Sequence, residues 1–145
     1  MCIRDSYTGD GGAASAALLN YPNALTMDPA GDIYISDSYN SRVQEIAAAT
    51  GTQWGQPMTA GDIYTIAGSA TGAHGSTGDG GPAGAGLLYG AGGLALDSAG
   101  DLYIGDGGNN RVQELAAVTR AQWGQAMTAG DIYTCLLYTS PSPRD

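Results

Sequence analysis

Several groups of residues in this chain have the types and spacing to do chemistry. The run Gly78-Asp-Gly80-Gly-Pro-Ala83 matches a dinucleotide fingerprint with alanine in the last place. No βαβ pattern surrounds it, and Pro82 withdraws an amide that a phosphate would want, so it reads as a linker turn. Aspartates crowd two short turns, Asp28-Pro-Ala-Gly-Asp32 and Asp97-Ser-Ala-Gly-Asp101. Neither follows the D-x-D-x-D-G order of a calcium loop, and Asp28 and Asp97 are expected to cap their own hairpins. Asp37 with Arg42, and Asp106 with Arg111, face each other across a turn at two places and are expected to pair structurally. His74 is the sole histidine, whereas zinc catalysis wants about three protein ligands. The expectation is no catalytic residue, no metal and no cofactor.

Trp54 and Trp123 ask for more. Each sits in a polar Gln-Trp-Gly-Gln loop. One reading folds the indole back over apolar atoms. The other offers it outward as an anchor for a protein or glycan, an aromatic serving well in that role. Repeated contacts would then add by avidity.

These residues come in twos because the chain repeats. AGDIYIS at Ala30–Ser36 returns as AGDLYIG at Ala99–Gly105, and QWGQPMTAGDIYT at Gln53–Thr65 as QWGQAMTAGDIYT at Gln122–Thr134. The offset is 69 throughout, and 37 of the 59 pairs between residues 7–65 and 76–134 are identical. The repeats are placed at 7–75 and 76–134, the second truncated.

Both cysteines, Cys2 and Cys135, fall outside that register. MCIRDS can be written in codons whose reverse complement, in another frame, encodes CLLYT. Residues 1–6 and 135–145 are therefore read as translated sequencing-adapter DNA and set aside. They are expected to lie outside the sheets, save one or two residues of accidental strand extension where Leu136 falls in the place of Ala67, and no disulfide or redox inference rests on either cysteine. On this reading the rest is a fragment, with its true termini and any signal peptide elsewhere.

Composition bounds the class. Hydrophobic residues make up 43%, enough for a core, and 24 glycines and no phenylalanine mark a turn-rich chain. A net charge of −9, with arginine the only cation, argues against nucleic acid and anionic membranes as partners. No stretch is long and apolar enough to span a bilayer as a helix.

Each repeat reads as four short strands: Ala24–Met27, Ile33–Ser36, Arg42–Ile46 and Asp62–Ala67, then Gly93–Leu96, Leu102–Gly105, Arg111–Leu115 and Asp131–Thr134. Gly31 and Gly100 supply positive φ in the first turns. RVQEI and RVQEL alternate with the period of a half-buried strand. An insert, AAATGTQWGQPMTA, separates the third and fourth strands. Four hairpin-linked strands per unit indicate an all-β propeller, here about two four-stranded antiparallel blades.

GDGGPA followed by GLALDSAGDLYIGDGGNNRVQEL resembles the NHL repeat, and the GDGG linkers resemble teneurin-type and bacterial multi-repeat NHL proteins. The resemblance implies a non-catalytic scaffold that binds protein or glycan through its loops, secreted or at the cell surface, with further blades of its own chain as neighbours. The alternative it raises is an NHL-like lyase or lactonase, whose metal would sit on histidines in missing blades. The DPAGD hairpin and the Trp-bearing insert are expected on one face, with DSYNS and GDGG on the other. Uncovered sheet faces are expected to make the isolated chain marginal or prone to aggregate.

Overall fold

Strand length here is set by turn chemistry. In a computed structural model, which describes residues 8–137, the first repeat forms β1 (Pro22–Met27), β2 (Ile33–Asp37), β3 (Arg42–Ile46), β4 (Gly51–Gln53), β5 (Gln56–Met58) and β6 (Ile63–Gly68). The second forms β7 (Ala91–Leu96), β8 (Leu102–Asp106), β9 (Arg111–Leu115), β10 (Arg120–Gln122), β11 (Gln125–Met127) and β12 (Ile132–Leu137). The sheets are β1-β2-β3-β6 and β7-β8-β9-β12, antiparallel throughout, with β4-β5 and β10-β11 as separate two-stranded ribbons. Among the described residues there is no α-helix, only four 3-10 turns.

The Asp28 and Asp97 turns each span five residues because the ladder closes at Met27↔Ile33 and Leu96↔Leu102. Gly31 and Gly100 take φ of +95° and +90° there, a region costly to any residue with a Cβ. The second corner of each blade is a 3-10 turn, Ser38–Asn40 or Gly107–Asn109, ended by Ser41 or Asn110 in the left-handed conformation.

The two sheets pack face to face, and β1 and β7 are the inner strands that meet most extensively. The first blade presents Tyr34, Val43, Tyr64 and Ala67, and the second presents Leu88, Ala91, Leu102, Ile104, Leu115 and Ile132. All are buried, Val43, Ala67, Ala91, Leu102, Ile104 and Leu115 completely. One core therefore lies between the blades.

The structure corrects two expectations. GDGG does not lie at the DSYNS end. Gly11 donates to Ile63 O at 2.6 Å and Ile63 donates to Gly12 O at 2.9 Å; Gly80, Gly81 and Ile132 repeat this at 2.7 and 2.9 Å. The glycine segment thus runs along the start of its own blade's fourth strand, which would otherwise be a bare edge of unpaired amides. Gly9 and Gly78 permit this. At φ of +97° and +95°, an added Cβ would lie 2.5 Å from Ala17 Cα and 2.4 Å from Gly86 Cα.

The second correction concerns the C-terminal segment. Cys135–Leu137 do not lie outside the sheet: they prolong β12, with Leu136 opposite Val112 and Leu137 opposite Arg111. The bulge before Leu136 matches the one before Ala67 in β6. A ladder is made by backbone groups, so any non-proline residue at these positions can continue it. Residues 1–6, with Cys2, and 138–145 lie outside the described residues.

Candidate functional site

The DPAGD hairpin and the insert meet at one end of each blade. Asp28 Oδ1 accepts from the Ala30 and Asp32 amides, both at 3.0 Å, and its Oδ2 accepts from the Tyr34 hydroxyl at 3.1 Å. Asp97 does the same for Ala99, Asp101 and Tyr103. The next aspartate turns to the insert: Asp32 accepts from Ala48 N at 2.6 Å and Gln53 Nε2 at 3.1 Å. Asp101 accepts from Ala117 N at 2.6 Å and Arg120 Nη2 at 2.5 Å.

The insert is not a plain loop. β4 and β5 form a two-residue hairpin whose turn is Trp54-Gly55, with φ of +51° and +76°; Trp123 and Gly124 repeat it at +53° and +76°. Positive φ at both central residues is the type I′ pattern that suits strand twist, usually supplied by Asn-Gly. A tryptophan there is strained, and each indole is tied down. Trp54 Nε1 donates to Glu45 at 3.2 Å and Trp123 Nε1 to Glu114 at 2.8 Å. Gln56 and Gln125 fasten the returning strand by donating to the carbonyls of Thr65 and Thr134.

The two indoles differ in surroundings. Trp54 is half-buried, edge-on to Tyr34 with ring centroids 6.3 Å apart, and packed against the core between the blades. Trp123 is 62% exposed. The difference comes from position, since the second blade covers the first blade's indole and no described residue covers its own.

Glu45 and Glu114 are the site residues the sequence reading passed over. Both are fully buried. Burial, opposed by the nearby Tyr34 hydroxyl and the Trp54 N–H, holds the Glu45 carboxyl above the ordinary carboxylate range, and its Oε1 has no hydrogen-bond partner. Burial likewise pushes Glu114 up. Burial and then Glu45 raise the Tyr34 hydroxyl well above a free tyrosine. Burial opposes ionisation of Asp97 too, but donors from Asp101, Tyr103 and Ala99 leave it below its ordinary value.

Asp97, Asp101 and Glu114 place carboxylate oxygens within 4.8 Å of one another, the spacing of a metal site. Arg120 already answers that charge, 2.5 Å from Asp101 and 3.8 Å from Asp97. With its amide oxygen toward Arg120, Gln122 bridges that guanidinium to Glu114. The first blade has Gly51 where the second has Arg120, and there Gln53 serves Asp32 instead.

Because the folded state favours protonated Glu45, its contribution is fully present below the ordinary carboxylate pKa. It is lost as pH rises through the higher folded value. Glu45→Gln keeps an acceptor for Trp54 without the buried charge. The variant should exceed the wild type at neutral pH by on the order of 1 kcal/mol, with the gap closing on acidification. Melting temperatures of the pair across that range check it, and a gap that widens in acid would reverse the assignment.

At the opposite end, Asp37 and Arg42 pair at 2.8 Å with both side chains fully buried. Asp37 also accepts from Asn20 N at 2.6 Å and Asn40 Nδ2 at 2.8 Å. Arg42 reaches the carbonyls of Ala70 and Leu18. Asp106 and Arg111 repeat the corner at 2.7 Å. These groups pin linker to sheet. The amides of Gly80 and Gly81 are likewise spent inside the fold, and exposed His74 lies against Tyr89 with ring centroids 4.7 Å apart.

Two four-stranded antiparallel sheets, packed face to face and closed by glycine linkers along their fourth strands, are blades of a β-propeller. The NHL repeat profile matches this chain twice, at residues 19–46 and 88–115. The matches support placing it among NHL-repeat proteins. Each covers the first three strands of a blade and stops before the insert. Among curated proteins, a search finds no match to this chain.

Proposed function

We propose that this protein is a non-catalytic propeller scaffold that binds a protein or glycan partner through the end carrying the insert hairpins. The observation that carries the reading is the recurrence of a braced hairpin at the same place in both blades. Each presents exposed residues on a rigid support, Thr52 and Pro57 on one and Ala121 and Ala126 on the other. Loops held by a rigid scaffold are where binding concentrates, and a braced hairpin loses little entropy on docking. The resemblance to multi-repeat NHL proteins favours a secreted or cell-surface setting and further blades as neighbours, and the acidic balance disfavours nucleic acid and anionic membrane.

Pro57→Arg and Ala126→Arg, made together, test the face on a printed glycan array and a panel of extracellular proteins. Binding by the parent chain that is lost in the variant, with melting unchanged, supports the reading. Binding that survives both substitutions places the contact elsewhere. The competing reading, a metal-dependent lyase or lactonase, would be carried by stoichiometric metal together with turnover. The inner strands β1 and β7 contain no histidine, cysteine or carboxylate with which to ligate one.

A further inference from the structure

Two pairs of exposed rings stand at the corner end, opposite the insert hairpins. Tyr21 and Tyr39 lie with ring centroids 4.7 Å apart at 40°, and His74 and Tyr89 take the same separation and tilt. All four are exposed, Tyr39 by 68%. Duplication did not copy this feature. Asn20, Tyr21 and Tyr39 become Tyr89, Gly90 and Gly108 one repeat later, so the two pairs are built from non-equivalent positions. The corner folds without a ring at Tyr21, since Gly90 holds φ of +69° where Tyr21 sits strained at +59°. A ring so exposed repays little of that strain by burial. Tyr39 and Tyr89 flank a junction with both sides present: Ser38 Oγ donates to Ala91 O, and Gly90 N donates to Ser41 Oγ at 3.2 Å.

We propose that this end is a platform for a neutral saccharide, with sugar rings stacked on Tyr39 and Tyr89 and flanked by Tyr21 and His74. The C–H groups on one face of a pyranose lie well against the negative face of an aromatic ring, and the sugar's hydroxyls meet the polar tips of the tyrosines. The backbone beneath is fixed, so docking costs little entropy: Tyr39 N donates to Asn20 O at 3.0 Å, Ser38 N to Tyr21 O at 3.3 Å and Gly108 N to Tyr89 O at 2.7 Å. Charge selects the class of sugar. Residues 20–21, 38–41, 89–90 and 107–110 carry no charged side chain, and the nearby Asp37–Arg42 and Asp106–Arg111 pairs neutralise each other. Such a patch offers no counter-charge to an acidic or basic partner. The platform is separate from the insert end, so either surface can fail alone.

Isothermal titration of the full chain with cellohexaose, maltohexaose, xylohexaose and chitohexaose tests this. At least one should bind, and Tyr39→Ala and Tyr89→Ala should each weaken it about tenfold with melting unchanged. Tyr39→Gln and Tyr89→Gln keep bulk without a ring, and replace either alanine variant that melts early. Tyr21→Gly installs the second blade's residue and should weaken binding while raising the melting temperature, a split that a structural role would not produce. The chain carrying Pro57→Arg and Ala126→Arg should bind the sugar as the parent does. Binding of none of the four, or binding untouched by the Tyr39 and Tyr89 substitutions, would overturn the proposal. Tighter binding of polygalacturonate or of a decaproline peptide would do the same, by showing an acidic sugar or an extended peptide to be the better fit. Sugar binding lost only with Pro57→Arg and Ala126→Arg would also overturn it, and would leave the insert end as the contact.

Discussion

Arg42→Met should melt far below the wild type and leave the first blade unfolded under mild conditions. The substitution removes the guanidinium but leaves Asp37, whose side chain is fully buried 2.8 Å from it, as a charge outside water's reach. Breaking a buried pair on one side costs about 3–5 kcal/mol, a large share of the stability of a small domain. Arg111→Met in the second blade is the internal control. Its side chain keeps 7% exposure, so water can partly answer Asp106 and the loss should be smaller. Asp37→Leu combined with Arg42→Met should recover part of the deficit, since the cost lies in the orphaned charge. Thermal melts of the variants check this. An Arg42→Met protein melting within a degree or two of the wild type would show that the backbone alone holds the corner.

Trp54→Ala and Trp123→Ala should differ severalfold in cost although they change the same residue of the same repeat. Trp54 packs against Tyr34 and the core between the blades, so truncation opens a cavity and should cost about 2–4 kcal/mol. Trp123 is 62% exposed, and its loss should cost less than about 1 kcal/mol. The strained φ stays in both variants, since alanine keeps its Cβ, and the two angles differ by only 2°, so strain does not distinguish them. Denaturant titrations of the two variants make the comparison. Equal costs would mean that the indole–glutamate bond, rather than burial between blades, is what each tryptophan supplies.

The blades were legible because their signals are local. RVQEI and RVQEL fix alternation, and the two aspartate turns fix loop length, so β3 and β9 begin and end where pattern reading puts them. β2 and β8 each extend one residue further, into the aspartate of the buried corner. The ribbon inside the insert was missed because its turn is Trp-Gly, and nothing in that pair announces positive φ at a tryptophan. The place of GDGG was missed because its partners, Ile63 and Ile132, lie far along the chain and are found through backbone groups that carry no residue signature. Glu45 was passed over for a related reason. In sequence it is one polar position of an alternating strand, and only the fold shows that side covered by another sheet.

The glycine linkers that close each blade also set an order of events during synthesis. Ala13 bridges to Asp62, and Pro82 to Asp131, so each linker emerges well before the strand it must join. On a ribosome the chain appears from its N-terminus, and the first linker meets β6 while β12 has not yet been made. Of the two described fourth-strand edges, only the correct one is then on offer. Refolding from denaturant removes that protection, because both edges appear at once and present the same Asp-Ile-Tyr-Thr sequence to either linker. Crossed closures, with a linker on the wrong blade's edge, are the characteristic error of such near-identical tandem units. Yield after refolding from denaturant should therefore fall below yield from synthesis, by the fraction of crossed closures that limited proteolysis detects.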